Sequence, residues 1–219
     1  MKKTLLLGIA GIFWLSTTAK AQLEKDTKFF GGTLAFNGYS QKNDNGNIGS
    51  GTSNSLSVSP SLHFGKFIKQ NRMIGLSLGT DIVRNKGKSW TPFSKSESLT
   101  TVVSYSLSPY IRHYKLLSPK WAVFLHSSVA LSYSHYKVAA DYQETYKNDG
   151  YSAGIYLAPG IAYWISPRFA LETDLNFLSL AAGYQSQPGE SNIYFNSAVT
   201  STLNSYFAVR AAWYIQKQK

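Results

Sequence analysis

The segment Val103–Ile111, with the sequence VSYSLSPYI, places large apolar side chains at every second position, with serine or tyrosine between them. Side chains of a β-strand point alternately to the two faces of a sheet, so this segment predicts a strand with one apolar and one polar face. The same alternation recurs at Leu56–Phe64, Ile74–Ile82, Phe169–Phe177 and Phe207–Ile215. The pattern predicts an all-β protein.

Eight strands are predicted from this alternation, and they account for nearly all of residues 22–219. They are expected at residues 28–40, 54–67, 72–85, 98–115, 120–137, 150–165, 168–183 and 200–216. Short connections at 68–71, 116–119 and 166–167 alternate with long connections at 41–53, 86–97, 138–149 and 184–198. Strict alternation of this kind predicts antiparallel neighbours with one tight end and one end that carries loops.

Three strands share a proline at a nearly constant interval. Pro60, Pro109 and Pro159 lie 49 and 50 residues apart, which indicates a repeat of four hairpins. Because proline lacks the backbone N–H that a sheet needs, we expect a local bulge at each of these positions.

The polar phase of the strands consists mostly of Ser, Gly, Ala and Thr, with few charges. Small uncharged side chains suit the crowded interior of a closed barrel, whereas a solvated face would carry Lys and Glu. The apolar phase would then face lipid, and a sheet in lipid must close because each backbone polar group needs a partner.

Aromatic residues cluster at both ends of the predicted strands, as the two interfacial girdles of a membrane barrel do. The cluster beside the short turns comprises Phe64, Phe67, Tyr114, Trp121, Tyr163, Trp164, Phe169, Trp213 and Tyr214. The opposite cluster comprises Tyr39, Trp90, Phe93, Tyr133, Tyr136, Tyr142, Tyr146, Tyr151 and Tyr184. The alternative is that these aromatics form an ordinary core.

Residues 1–21 have the features of a secretory signal peptide: Lys2 and Lys3, then an apolar run at Leu5–Leu15, then an A-x-A site at Ala19–Ala21. An N-terminal membrane anchor is the alternative. Removal of this segment lowers the formal net charge from +11 to +8. An exported chain is not expected to bind nucleic acid, despite its basic character.

No cofactor or metal is predicted. The chain has no cysteine, which excludes a disulfide framework, a thiolate zinc site and an iron–sulfur cluster. Its four histidines are scattered singly. The segment Asn43–Asn47 lacks the trailing glutamate of a calcium loop, so a flexible turn is expected there.

The last predicted strand, together with the features above, resembles the small outer-membrane β-barrels of Gram-negative bacteria, the OmpA- and OmpX-like outer membrane protein β-barrel domain family. The residues of the resemblance in this strand are Phe207, Val209, Trp213, Tyr214 and Ile215, although Gln216–Lys219 follow where the family has a terminal aromatic. The resemblance implies an eight-stranded, antiparallel, up-and-down transmembrane barrel in the outer membrane. It also implies short periplasmic turns, long extracellular loops, contact with outer-membrane lipid and assembly by the barrel-assembly machinery.

Alternation places a set of polar and charged side chains in the interior of such a barrel: His63, Asp81, Arg112, His126, Glu172, Asp174 and Arg210. Arg210 is expected to pair with Glu172 or Asp174, because their strands are neighbours. Arg112 and His126 fall at a similar height. A plugging salt-bridge network is predicted, and an ion or proton path is the alternative.

No catalytic residue is predicted, so the protein is not expected to be an enzyme. His126 and Ser128 resemble the pair of outer-membrane lipid A deacylases, but alternation puts both in the interior. His135 is expected on the outer face, without a carboxylate on its own strand.

The predicted role is structural, adhesive or interaction-based, through the extracellular loops. Aromatic loop residues that could contact a glycan or protein are Trp90, Phe93, Tyr142, Tyr146, Tyr194 and Phe195. The alternatives are a narrow channel or a secretion or transport helper, and, third, a lipid-modifying enzyme.

Overall fold

A computed structural model describes residues 23–44, 49–140, 143–175, 178–187, 189–199 and 209–216. Nearly all of them lie in strands, so the all-β prediction is confirmed. The strands are β1 (Lys28–Asp44), β2 (Ser50–Lys69), β3 (Arg72–Thr91), β4 (Ser94–Leu116), β5 (Trp121–Ala140), β6 (Gln143–Ser166), β7 (Phe169–Asp174), β8 (Leu178–Gln187), β9 (Glu190–Val199) and β10 (Val209–Ile215). The predicted signal peptide lies outside the described residues.

Within the described ranges, no helix is long and apolar enough to cross a membrane.

Eight strands form a ring in which every strand pairs antiparallel with two neighbours. The order is β1-β2-β3-β4-β5-β6-β7-β10, and β10 returns to pair with β1. Lys28 faces Ile215 and Thr33 faces Arg210 across this closing seam. The antiparallel arrangement predicted from the alternating connections is confirmed.

The seventh predicted strand, 168–183, is interrupted. Both β7 and β8 pair with β6. Gly160 faces Asp174 and Leu157 faces Leu180, so three residues of β6 correspond to six residues of the segment that runs from β7 to β8. The interruption lies opposite Pro159, whose carbonyl oxygen accepts a hydrogen bond from the Leu175 N–H at 2.8 Å. Because proline offers no N–H in return, the ladder is broken here.

The expected bulges at the other two prolines are wrong. Pairing on either side of Pro60 keeps one register, with Val58 facing Ile82 and Ser61 facing Gly79. The register around Pro109 is likewise unchanged. At each of these prolines, only the local pairing with the next strand is missing.

The long connections are also corrected, because the strands continue through most of their length. The chain reverses at residues 92–93 between β3 and β4, and β1 extends to Asp44 before β2 begins at Ser50. β9 begins inside the predicted loop 184–198 and ends one residue beyond it. Residues 200–208 of the last predicted strand lie outside the described residues. We call the end of the ring at which β3 joins β4 the hairpin end. The opposite end, at which β2 joins β3 and β4 joins β5, is the turn end.

The core lies inside the ring at the turn end. Leu23 and Thr27, which precede β1, are buried against it. The carbonyl oxygen of Leu23 accepts from the Asn71 N–H at 2.9 Å, and the Asp26 N–H donates to the Phe67 carbonyl oxygen at 2.7 Å. The N-terminal segment therefore lies across this end of the ring.

Four aromatics of the predicted turn-end girdle point inward and belong to this core. They are Phe67, Tyr114, Trp164 and Tyr214, whose exposed fractions are 0%, 6%, 0% and 1%. Phe64, Trp121 and Trp213 do lie on the outer face. The girdle prediction used position along the strands and ignored their phase, which places the first four residues inside.

Candidate functional site

Glu172 of β7 is the centre of a buried ionic cluster inside the ring. Its Oε2 accepts from Arg112 Nη1 at 2.8 Å and from Arg210 Nη1 at 3.0 Å. Its Oε1 accepts from the hydroxyl of Tyr114 at 3.1 Å and from that of Tyr214. Four donors thus converge on one carboxylate whose side chain is 0% exposed.

Arg112 reaches this carboxylate from the far side of the ring. β4, which carries Arg112, is separated from β7 by β5 and β6, so the contact crosses the interior. Its Nε donates to His126 Nδ1 at 2.8 Å, on the strand beside it. The guanidinium also lies 4.8 Å from the centroid of the Tyr110 ring and 5.1 Å from that of Phe124, within cation–π range.

Arg210 links the cluster to a second carboxylate. It faces Glu172 directly across the β7–β10 pair, and its Nη2 donates to Asp174 Oδ2 at 2.6 Å. Arg210 therefore contacts both carboxylates that sequence reasoning offered as alternatives. The two guanidinium groups and the two carboxylates balance in charge, which is the condition for burying them at tolerable cost.

A layer of rings lies beside the ionic cluster on β2, β4, β5 and β6. His126 stacks on Tyr110 with ring centroids 5.1 Å apart, and His63 and Tyr156 approach these two rings edge-on at 6.3 Å. His63 Nε2 lies 3.0 Å from the Ser61 hydroxyl. This layer was not foreseen, although Tyr110 and Tyr156 share the inward phase of their strands.

Glycines make room for these large inward side chains. A Cβ atom on Gly160 would lie 2.1 Å from Phe124 Cζ, and one on Gly75 would lie 2.3 Å from Tyr110 Cζ. Each glycine faces the ring directly across the strand pair. The aromatic rings can therefore lie flat against the neighbouring strand.

The combined effect is an interior filled at the level of the cluster. Trp164, Arg112, Tyr214, Phe67, Met73 and Glu172 are the largest side chains with under 2% exposure. Within the described residues, Arg112 Nη2, Arg210 Nε and Asp174 Oδ1 are buried without a hydrogen-bond partner. The cluster occupies the interior of the ring at this level and retains unsatisfied polar atoms around its centre.

Asp81 is the one predicted interior group that lies apart from the cluster. Its Oδ1 accepts from the hydroxyls of Ser57, at 3.0 Å, and Ser59. The nearby Ser104 and Ser134 hydroxyls lie 2.8 Å apart. On the hairpin side of the cluster, the inner face of the ring thus carries serines whose hydroxyls hydrogen-bond to one another or to Asp81.

The outer face carries aromatic pairs at two heights on β5 and β6. Trp121 faces Tyr163 at the turn end, with ring centroids 4.6 Å apart, and Tyr133 faces Tyr151 twelve positions along, at 5.3 Å. Tyr105 of β4 faces Tyr133, and Tyr184 of β8 flanks Tyr151. We call Tyr105, Tyr133, Tyr151 and Tyr184 the tyrosine row.

The residues predicted for the assembly strand divide between the two faces. Val209, Trp213 and Ile215 are exposed on the outer face, whereas Tyr214 points inward to Glu172. Phe207 lies outside the described residues.

The predicted loop aromatics are spread along the hairpins. Phe93, at a reversal of the chain, is 99% exposed, and Phe195 is 73% exposed. Trp90 and Tyr146 are exposed as well, and Tyr194 lies over Gly154 and Gly183. Tyr142 lies outside the described residues.

His135 has a carboxylate partner that sequence reasoning did not find, because it lies on the neighbouring strand. Its Nδ1 is 2.7 Å from Asp149 Oδ1, which also accepts from the Tyr133 hydroxyl at 2.9 Å. These contacts hold the pKa of the Asp149 carboxyl below its usual range. His126 uses its Nδ1 to accept from Arg112, which gives it a structural contact.

Among the described residues, no group of three or more His, Asp or Glu side chains could hold a metal ion.

No protein-family model matches the chain. A comparison with curated proteins likewise finds no match.

Two solved structures are similar in architecture. The transport unit of the autotransporter AIDA-I from Escherichia coli is 17% identical, with a TM-score of 0.37, over 80% of this chain and 57% of that one. A major outer membrane protein from Thermus thermophilus is 11% identical, with a TM-score of 0.38, over 86% of this chain and 99% of that one. The chain thus spans little more than half of the autotransporter unit, and both similarities concern strand architecture alone.

Proposed function

We propose that this chain is an integral outer-membrane β-barrel with a filled interior, and that it serves a structural or interaction role through its projecting hairpins. Each of the eight strands of the ring pairs with two neighbours, and the seam between β1 and β10 is closed from Lys28 to Thr33, as a sheet in lipid requires.

The observation that carries the proposal is the spacing of the aromatic pairs on β5 and β6. Trp121 and Tyr133 are twelve residues apart, as are Tyr163 and Tyr151. At about 3.3 Å per residue and a tilt of roughly 40°, the two heights are ~30 Å apart, the thickness of a hydrocarbon core. The intervening segments 122–132 and 152–162 contain no Asp, Glu, Lys or Arg.

The filled interior favours a structural role over conduction. A narrow channel would need a continuous polar path, and Arg112 and Glu172 meet across the lumen instead. In planar bilayers we expect no steady current from the wild-type protein. A steady open current that Arg210→Ala alters would support the channel alternative instead.

The hairpins support an interaction role because their apolar side chains are left uncovered. Phe93, at the reversal of the β3–β4 hairpin, is 99% exposed and lies beyond the tyrosine row. Ile193 and Phe195 are 88% and 73% exposed, but they face Tyr184 and Ala182, at the height of the tyrosine row and of Ile155. A large apolar group exposed beyond the proposed membrane boundary offers a contact for a protein or glycan.

Trypsin treatment of intact Gram-negative cells tests both the membrane location and the orientation. We expect cleavage in the β3–β4 hairpin at Lys86, Lys88 or Lys95, and protection of Lys66 and Lys69 at the turn end until the outer membrane is permeabilised. The purified protein should also change its gel mobility on boiling in detergent. Equal cleavage at both ends, or unchanged mobility, would contradict the proposal.

A further inference from the structure

Three basic side chains lie at one height on the outer face, four residues beyond the tyrosine row along β5 and β6. Arg84 of β3 faces Thr101, Thr101 faces Lys137 of β5, and Lys137 faces Lys147 of β6. All three cations are exposed. We call Arg84, Lys137 and Lys147 the basic row.

The basic row carries uncompensated charge. Lys137 and Lys147 are direct cross-strand neighbours, and like charges in that position repel each other. Among the described residues, none of the three cations has an ion-pair partner. By contrast, Lys86 and Lys88 on the same β3–β4 hairpin both contact Glu97.

Among the side chains that the structure describes, the nearest acidic group does not neutralise the row. Asp149 lies two residues closer to the turn end than Lys147. Its Oδ1 already contacts His135 and accepts a hydrogen bond from the Tyr133 hydroxyl. The three cations of the row exceed this single carboxylate. A site with surplus positive charge and a spread of about three strand spacings, roughly 14 Å, remains.

The height of the row indicates what binds it. Tyrosine belts lie at the level of lipid head groups, with the ring in the apolar layer and the hydroxyl toward water. Four further residues, about 13 Å along a strand and roughly 10 Å along the membrane normal at the tilt used above, place the basic row among the charged parts of those head groups. Lysine and arginine at that depth attract anionic lipid.

We propose that the basic row binds the phosphate-bearing head group of an outer-leaflet lipid. The inference rests on the proposed function, because it requires the tyrosine row to lie at a membrane surface. Lys137 and Lys147 would hold one phosphate between them, which removes their mutual repulsion, and Arg84 with the Thr101 hydroxyl would contact a second anionic or polar group.

Native mass spectrometry of the full chain in a neutral detergent tests this site, with diphosphoryl lipid A as the probe. We expect the wild-type protein to retain the probe and the double variant Lys137→Gln/Lys147→Gln to bind it about tenfold more weakly. The matched control is Lys86→Gln/Lys88→Gln, which removes the same charge from the neighbouring hairpin and should bind within about twofold of wild type.

Further arms separate the outcomes. Dephosphorylated lipid A should be retained much less than the diphosphoryl form, and equal retention would overturn the inference. Inorganic phosphate at the same concentration should not displace the lipid, since displacement would indicate a free-phosphate site instead. Equal loss in both double variants would also overturn it.

Boiling-dependent gel mobility of each protein distinguishes failure of the site from failure of the barrel. A wild-type chain that shifts on boiling but retains no diphosphoryl lipid A refutes the lipid site alone. A chain whose mobility never changes refutes the proposed function.

Discussion

Glu172 at the turn end and Glu97 at the hairpin end each contact two cationic side chains, yet their surroundings differ completely. Glu172 lies at 0% exposure and receives two tyrosine hydroxyls besides Arg112 and Arg210. Glu97 is 39% exposed and contacts the flexible ends of Lys86 and Lys88. The same pairing of charges is enclosed at one end of the molecule and solvated at the other.

The contrast teaches that burial, rather than the number of ion pairs, decides what a charge does in this fold. Removing one member of a buried pair leaves an uncompensated charge, which costs about 3–5 kcal/mol. An exposed pair is screened by water and salt and contributes little. The buried pairs at the turn end therefore stabilise the ring, whereas the exposed pairs at the hairpin end contribute little to its stability.

The largest expected effect comes from Glu172→Gln, which leaves Arg210 paired with Asp174 and removes the carboxylate that Arg112 contacts. We expect the free energy of unfolding to fall by about 3–5 kcal/mol. Urea unfolding of the protein in lipid vesicles, followed by tryptophan fluorescence, measures it.

Glu97→Gln is the matched control for this substitution. It makes the same chemical change in an exposed pair, and the unfolding midpoint should not move measurably. Equal destabilisation by the two variants would contradict the distinction between the two ends.

A charge placed on the outer face separates the lipid-facing band from the hairpins. Val129→Arg lies between the aromatic pairs of β5, eight residues from Trp121 and four from Tyr133, and should destabilise the inserted protein by about 2–4 kcal/mol. Phe93→Arg, at the reversal of the β3–β4 hairpin, should leave the same urea transition unchanged. Comparable effects of the two substitutions would place Val129 outside the lipid.

Gly160→Ala should destabilise the protein by about 1–3 kcal/mol, because its Cβ would lie 2.1 Å from Phe124 Cζ and the ring would have to move. Gly32→Ala is the control, since the nearest atom to its Cβ is Leu62 Cδ2 at 4.0 Å. In the double variant Gly160→Ala/Phe124→Leu, the smaller side chain should reduce the penalty for the added methyl. If the two substitutions have additive effects on the free energy of unfolding, the contact between residue 160 and the Phe124 ring does not limit packing.

The smallest effect concerns pH at the hairpin end. Hydrogen bonds from Lys86 and Lys88 hold the pKa of the Glu97 carboxyl below its usual range. The contacts are therefore complete above the ordinary glutamate pKa and are lost as the pH falls through the lowered one. NMR titration of the Glu97 carboxyl carbon should show this, and Lys86→Gln/Lys88→Gln should raise the midpoint. An unchanged midpoint in that variant would show that Lys86 and Lys88 do not lower the pKa of the Glu97 carboxyl.

The period-two alternation is enough to predict the strand class and pairing direction, because the two faces of the sheet must meet different surroundings. It could not predict where the strands end at the hairpin side. Residues 86–91 are basic and polar, as a loop would be, yet they pair with β4 because strand pairing satisfies their backbone. The break opposite Pro159 was also beyond a local pattern, since the similar prolines at 60 and 109 keep their register.

The candidate site was predictable where partners share neighbouring strands, as Arg210 does with Glu172. The contact of Arg112 with Glu172 was not, because it spans the lumen and depends on the curvature of the whole ring. Tyr114 and Tyr214 were missed for a simpler reason. Their phase places them inside, two residues from Arg112 and four from Arg210, but their location near the turns suggested a girdle.

The position of Glu172 also bears on how the ring of strands closes. Two of its four donors, Arg210 and Tyr214, arrive on β10, the strand that pairs with β1. A chain whose last strand has not docked holds a half-satisfied carboxylate opposite an open seam. Joining the seam and satisfying that carboxylate therefore occur together, so the cluster stabilises the closed ring relative to a form in which β10 is undocked.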